Sequence, residues 1–147
     1  MIVSLKRSFD ILFSLIGLLI FSWVIIINWL IAAIETKSNG FFTQKRVGKD
    51  GSLFTLIKIK TMKQISGFDT TVTTKNDIRI TKLGSFFRKT KLDELPTLWN
   101  VFIGDMSLVG PRPDVPGYAD KLTGDNRRIL QLRPGITGPA TLKYANE

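Results

Sequence analysis

From Ile11 to Ile34 the chain carries no charged residue: ILFSLIGLLIFSWVIIINWLIAAI. At 1.5 Å per residue a helix of this length reaches about 36 Å, enough to cross the hydrocarbon core of a bilayer. Lys6 and Arg7 precede the run as the basic start of a signal peptide would. The run is too long for a signal-peptide core, however, and no A-x-A cleavage pattern follows it. The segment reads as a retained membrane anchor covering residues 1–36. Residues 37–147 are left for one small domain with a modest core.

Topology is open at this level. Lys6 and Arg7 lie on one side of the run, and Lys37, Lys45, Arg46 and Lys49 on the other. Positive charge marks the cytoplasmic face, and here both flanks are basic. That pattern fits a helix that enters the membrane and turns back as well as one that spans. Ser22 and Asn28 could satisfy backbone groups at a break in the helix. Trp23 and Trp29 suit an interface, although Trp23 falls at mid-depth if the helix spans.

The residue types that are missing narrow the chemistry. The chain has no cysteine and no histidine, which excludes disulfides, thiolate zinc sites, cysteine nucleophiles, Ser-His-Asp triads and His-ligated metals. Catalysis must use carboxylates, Lys, Arg, Tyr, hydroxyls or a hard metal ion. Lys and Arg number 21 against 12 Asp and Glu, a formal charge of +9, which suits phosphates or an anionic membrane face. A basic domain beside a membrane segment already accounts for that charge. No nucleic-acid-binding motif accompanies it, so no nucleic-acid partner is expected.

The soluble part reads as mainly helical α/β. Phe41–Arg46 and Leu53–Lys60 form two short strands, joined by the Asp-Gly turn chemistry of Lys49-Asp50-Gly51. Alternation in Ile57-Lys58-Ile59-Lys60 puts both lysines on one strand face, which alone describes a solvated, lysine-protected edge. The polar, Thr-rich stretch 63–78 reads as a mobile loop. Short helices are expected over Leu83–Lys89 and Glu94–Phe102, the second with Leu95, Leu98, Trp99 and Phe102 on one face. Asp93 then falls at or beside an N-cap, Pro96 in the first turn, and Gly104 at the end. Two more short helices follow Pro113, the second starting near Asp125, before a turn at Arg133-Pro134-Gly135.

The densest signal is KTKLDELPTLWNVFIGDMSLVGPRP, residues 89–113. Asp93 and Glu94 are adjacent at a helix start, just after Arg88, Lys89 and Lys91. Helix capping and the helix dipole explain such a pair without any function. The company of several cations and a rigid Pro-Arg-Pro segment favours phosphoryl transfer. An aspartate can attack phosphorus, a neighbouring carboxylate can hold Mg2+ or manage a proton, and arginines neutralise phosphoryl oxygens.

These residues carry a resemblance. The chain resembles the bacterial sugar transferases, the monotopic phosphoglycosyl transferases that act on polyprenyl phosphate. The matching pieces are Lys6-Arg7-Ser8-Phe9-Asp10 with the apolar helix, FFTQKRVGKDG (41–51), FTLIKIKTM (54–62), NDIRITKLGSFFRKTKLDELPTLWNV (76–101), GDMSLVGPRP (104–113) and RPGITGPATLKY (133–144). The resemblance implies transfer of a sugar-1-phosphate from a UDP-sugar to undecaprenyl phosphate, with release of UMP. It implies Asp93 as nucleophile, Glu94 as the second carboxylate and Mg2+ held with Asp93 and Glu94. Lys60, Arg88, Arg112 and Arg133 take the place of phosphate-binding residues. Asp105, Pro111 and Pro113 fall to structural support. The setting implied is the bacterial inner membrane with the catalytic domain on its cytoplasmic face, membrane lipid as a partner, and room for a homo-oligomer.

Two departures stand out. The family's re-entrant helix breaks at a Ser-Pro pair, whereas here Ser22 is followed by Trp23. The break then rests on Ser22 and the basic flanks. The chain also stops soon after RPGITG, where family members continue, so a C-terminal part is expected to be missing. Against the enzyme stands a catalytically impaired membrane adaptor that binds anionic lipid or assembly partners.

Overall fold

A computed structural model describes residues 2–65 and 77–138. Most of the expected loop 63–78 and the end of the RPGITGPATLKY segment lie outside the described residues. The chain is mostly helical, with one long apolar N-terminal helix and two small sheets. It resolves into two compact units. One comprises Met1–Ile20, Thr43–Ile57 and Thr97–Glu147; the other comprises Phe21–Phe42 and Lys58–Pro96.

Helix α1 runs from Ile2 to Thr36 and remains α-helical through Ser22 and Trp23, where no proline interrupts it. Asp10, Ser14, Asn28 and Ala32 are buried along it, and Gly17 lies against Leu98. These positions recur at three- and four-residue intervals and so share one face. Leu12, Phe13, Ile16, Leu19, Ile20, Trp23 and Ile27 are exposed. An apolar surface of that extent needs a non-aqueous neighbour. It is the one helix among the described residues long and apolar enough to cross a membrane.

Strands β1 (Phe41–Val47) and β2 (Leu53–Ile59) pair as a hairpin. At its tip Asp50 and Gly51 both have positive φ, 57° and 82°, and Ser52 N–H donates to Lys49 O at 3.1 Å. That is the tight turn the Asp-Gly pair foretells, because few other dipeptides adopt two left-handed residues cheaply.

In the first unit, α3 (Thr97–Ile103) supplies Val101 to a core with Phe54, Leu56 and Met106, onto which Leu108 and Ile136 pack. A second cluster joins Val47, Ala119, Leu130 and Leu122. Strands β3 (Ser107–Val109) and β4 (Gly135–Thr137) pair in parallel, Ser107 with Gly135 and Val109 with Thr137. The expected turn at Arg133-Pro134-Gly135 thus leads directly into a strand. The chains approach so closely that a Cβ on Gly135 would collide with the Gly110 backbone, and one on Gly110 with the carbonyl of Arg133. Beyond Pro113 the two expected helices are 3-10 segments, Ala119–Lys121 and Gly124–Gln131.

In the second unit, Ala32, Ile59 and Phe87 form the core with Trp29, Ile31, Phe41 and Leu92 around them. Helix α2 (Lys82–Thr90) is capped by Thr81, whose hydroxyl accepts from Gly84 N–H at 2.9 Å. It ends at Lys91, which adopts left-handed φ of 60° and opens a 3-10 turn over Leu92–Glu94. Here the expected helix Glu94–Phe102 is corrected. Leu95 N–H closes the 3-10 turn onto Leu92 O, and Pro96 has no N–H to continue an α-helical ladder. Helix α3 therefore begins only at Thr97.

Candidate active site

Four of the charged side chains come together in the second unit. Leu92 points into the core, and the 3-10 turn it begins carries Asp93 under cover, 8% exposed. Asp93 does not cap α3, since it lies four positions before the first residue of that helix. Its Oδ1 is buried without a hydrogen-bond partner. Beside it, Glu94 Oε1 accepts from Lys58 Nζ at 2.7 Å, with both side chains 23% exposed. Arg88 projects from the last turn of α2, its Nε donating to Thr61 Oγ1 at 2.8 Å.

The electrostatics of Asp93 follow from that placement. Burial pushes its carboxyl above the ordinary carboxylate range, and the charge of Glu94 adds to the shift; Lys58 and Arg88 oppose it. The ionised form is thus held in a site that disfavours it. This is the condition in which a carboxylate gains most from bonding to an electrophile or a cation.

Lys60 sits just past the end of β2, and its Nζ donates to Ser38 Oγ at 2.8 Å. The lysine that meets the dyad is Lys58, two residues earlier on the same strand face. The alternation in the sequence placed both amines on that face but could not rank them.

The other candidates belong to the first unit. Asp105 Oδ2 accepts from Asn100 Nδ2 at 3.3 Å. Asn100 also donates to Thr55 O at 2.8 Å and accepts from Ile57 N–H at 3.2 Å, so one buried amide ties α3 to the β2 backbone. The sequence placed Asn100 among helix residues without signalling this role. Arg133 Nε donates to Gly104 O at 2.8 Å. Pro111 O accepts from Gly135 N–H at 2.8 Å, and Pro113 O from Arg46 at 3.0 Å. These bonds fix the segment on which Arg112 stands exposed. Arg112 lines a cavity of about 500 Å3 with Val47, Tyr118, Asn126 and Leu130.

A model of the bacterial sugar transferases matches residues 2–147. This chain belongs to the bacterial sugar transferase family. A putative undecaprenyl-phosphate N-acetylgalactosaminyl 1-phosphate transferase of Bacillus subtilis (strain 168) is 41% identical over 146 residues, 99% of this chain and 80% of the relative. An undecaprenyl-phosphate galactose phosphotransferase of Salmonella typhimurium is 40% identical over 91% of this chain. A UDP-glucose:undecaprenyl-phosphate glucose-1-phosphate transferase of Klebsiella pneumoniae is 37% identical over 93% of it. The chain spans only 31% and 30% of these last two relatives. Within the bacterial sugar transferase chain, then, the carboxylate pair with its lysine and arginine belongs to one unit, and Arg112 with its cavity to the other.

Proposed function

We propose that this chain transfers a sugar-1-phosphate from a UDP-sugar to undecaprenyl phosphate through a covalent aspartyl intermediate, at the cytoplasmic face of the bacterial inner membrane. The observation that carries the reading is Asp93: a buried carboxylate, raised above its ordinary pKa, with one oxygen free of hydrogen bonds. A buried carboxylate oxygen kept without a partner costs stability, and nucleophilic use accounts for that cost.

In the proposed reaction Asp93 attacks the phosphorus that bears the sugar. The bond from that phosphorus to the bridging oxygen breaks, and UMP leaves. A phosphate oxygen of undecaprenyl phosphate then attacks the same phosphorus, and the aspartyl–phosphorus bond breaks. The product is the sugar on a polyprenyl diphosphate, and the Asp93 carboxylate is restored. Arg88, close enough to oppose the Asp93 shift, offsets charge on the phosphoryl oxygens. Lys58 holds Glu94 and supplies a second cation at the same point. Arg112, exposed on the first unit, is separately proposed to bind phosphate.

The dyad also fits Mg2+. Among the described residues no group of three or more metal-ligating side chains comes together. A hard cation that uses one or two carboxylates and completes its shell with substrate phosphates and water needs no more than Asp93 and Glu94. When bound, Mg2+ would supply charge neutralisation for the phosphoryl group.

Membrane seating follows the same logic. Near its start α1 is bonded to residues 101–109, and near its end it packs on Ile59 and Phe87. No second apolar span occurs among the described residues that follow. The entering-and-returning topology is proposed from the basic flanks at Lys6-Arg7 and Lys37 alone, since α1 runs unbroken through Ser22.

The test is incubation of the chain with labelled UDP-sugars and undecaprenyl phosphate, following lipid-linked label and UMP. Transfer that Asp93→Asn abolishes is the expected result. Lipid binding with no UMP release from any donor would leave only the adaptor reading.

A further inference from the structure

The basic pair before the apolar run invites the usual explanation, that its charges rest on lipid headgroups. The structure spends them otherwise. Arg7 Nη1 donates to Val101 O at 2.6 Å and Nη2 to Phe102 O at 2.7 Å. Helix α3 has only seven residues, and its last carbonyls have no partners within the helix. Arg7 donates to two of them, Val101 O also accepting from Gly104 N–H at 3.1 Å, and its charge complements the negative end of the helix dipole.

The neighbours reinforce the contact. Gly104, at φ 103°, follows α3, and a Cβ there would come within 3.2 Å of Arg7 Nη2. Asp10, one turn further along α1 and 4% exposed, accepts from Leu108 N–H at 3.2 Å. Lys6 donates to Val109 O at 3.1 Å and to the Ser107 hydroxyl. Three side chains, Lys6, Arg7 and Asp10, thus tie the first turns of α1 to the stretch from the end of α3 through β3.

We propose that Arg7 is a positioning residue for the transferase. Its guanidinium latches α1 to the C-terminal end of α3, and so holds the segment that directly follows the Asp93–Glu94 turn in the chain. Asp10 secures the adjoining strand. In this role Arg7 acts on protein carbonyls and is indifferent to headgroup charge. The kinetic part of the inference rests on the function proposed above.

The experiment compares the full chain with Arg7→Gln and Arg7→Lys in phosphatidylcholine vesicles, with and without phosphatidylglycerol. Arg7→Gln is expected to lower kcat on the order of tenfold with donor KM held within about twofold, the pattern of lost alignment rather than lost binding. The loss is expected to be equal in both vesicle types. Arg7→Lys recovers part of it, because an ammonium reaches one carbonyl where the guanidinium fork reaches two. A loss confined to phosphatidylglycerol vesicles, or an unchanged kcat, would overturn the latch. Amide hydrogen exchange provides a readout that needs no turnover. Arg7→Gln and, to a smaller extent, Arg7→Lys should speed exchange at Gly104 and Met106, whose N–H groups close onto Asn100, and leave α2 unchanged. Unchanged exchange at both amides refutes the latch even if the transferase reading stands; faster exchange there in a chain without transfer activity supports the latch and sinks the transferase reading.

Discussion

Replacing Asp93 by Asn removes the charge and keeps the shape. Asp93 is 8% exposed, and its Oδ1 has no hydrogen-bond partner. Burial and Glu94 raise its pKa in spite of Lys58 and Arg88. The native site therefore disfavours the ionised form relative to the unfolded chain, and at neutral pH that form destabilises the fold. Asn removes the disfavoured charge, and each unit by which the folded pKa exceeds the unfolded value corresponds to about 1.4 kcal/mol of such destabilisation. For a chain of this size that corresponds to roughly 3–6 °C in Tm. The sign with pH is set by the raised pKa. The proton's contribution to stability is fully present below the ordinary carboxylate value of about 4 and is lost as pH rises through the folded pKa. The wild-type chain should gain stability as pH falls through that window, and Asp93→Asn should lack that part of the gain. The assay is thermal unfolding in detergent or nanodiscs across mildly acidic to neutral pH, beside transfer activity. A variant that is inactive but more stable at neutral pH is expected. A less stable Asp93→Asn, with an unaltered pH profile, would show that the carboxylate is a structural ion and refute the reasoning.

Other perturbations follow from the same structure. Lys58→Ala leaves Glu94 part-buried without its 2.7 Å partner; turnover should fall on the order of tenfold or more, while Lys60→Ala has the smaller effect in the same kinetic assay. Lys91→Gly relieves a left-handed residue at φ 60° and should raise the unfolding midpoint, by up to about 1 kcal/mol of stability. Gly135→Ala drives a Cβ into the Gly110 backbone and should cost about 2–4 kcal/mol, read by denaturant unfolding.

How much of this was legible in the sequence depends on how local the cause was. The hairpin could be read because Asp50-Gly51 satisfies a two-residue backbone requirement by itself. The stop at Gly104 is a similar case. Lys91 could not be read, since a lysine gives no sign that it will take positive φ, and that reversal is what carries Asp93 under cover. The start of α3 was misplaced for the same reason: periodicity ran back through Pro96 to Glu94, but the 3-10 turn interrupts the ladder. The β3–β4 pair escaped because each strand has three residues and its partner lies far along the chain. Its trace in the sequence is the glycine in each of Gly110-Pro111 and Pro134-Gly135, needed where two backbones nearly touch. At the site, that Lys58 bonds Glu94 while Lys60 bonds Ser38 depends on where distant segments meet the strand, which strand alternation cannot show.

The central claim is that Asp93 forms a bond to the sugar-bearing phosphorus. The most direct measurement is a single-turnover reaction with a donor UDP-sugar in the absence of lipid acceptor, quenched in acid and analysed by peptide mass spectrometry. The peptide containing Asp93 should carry one added sugar phosphate, released by hydroxylamine or by later addition of undecaprenyl phosphate, and absent from Asp93→Asn. UMP formed in stoichiometric amount with no adduct on Asp93, or an adduct on another residue, would contradict the account.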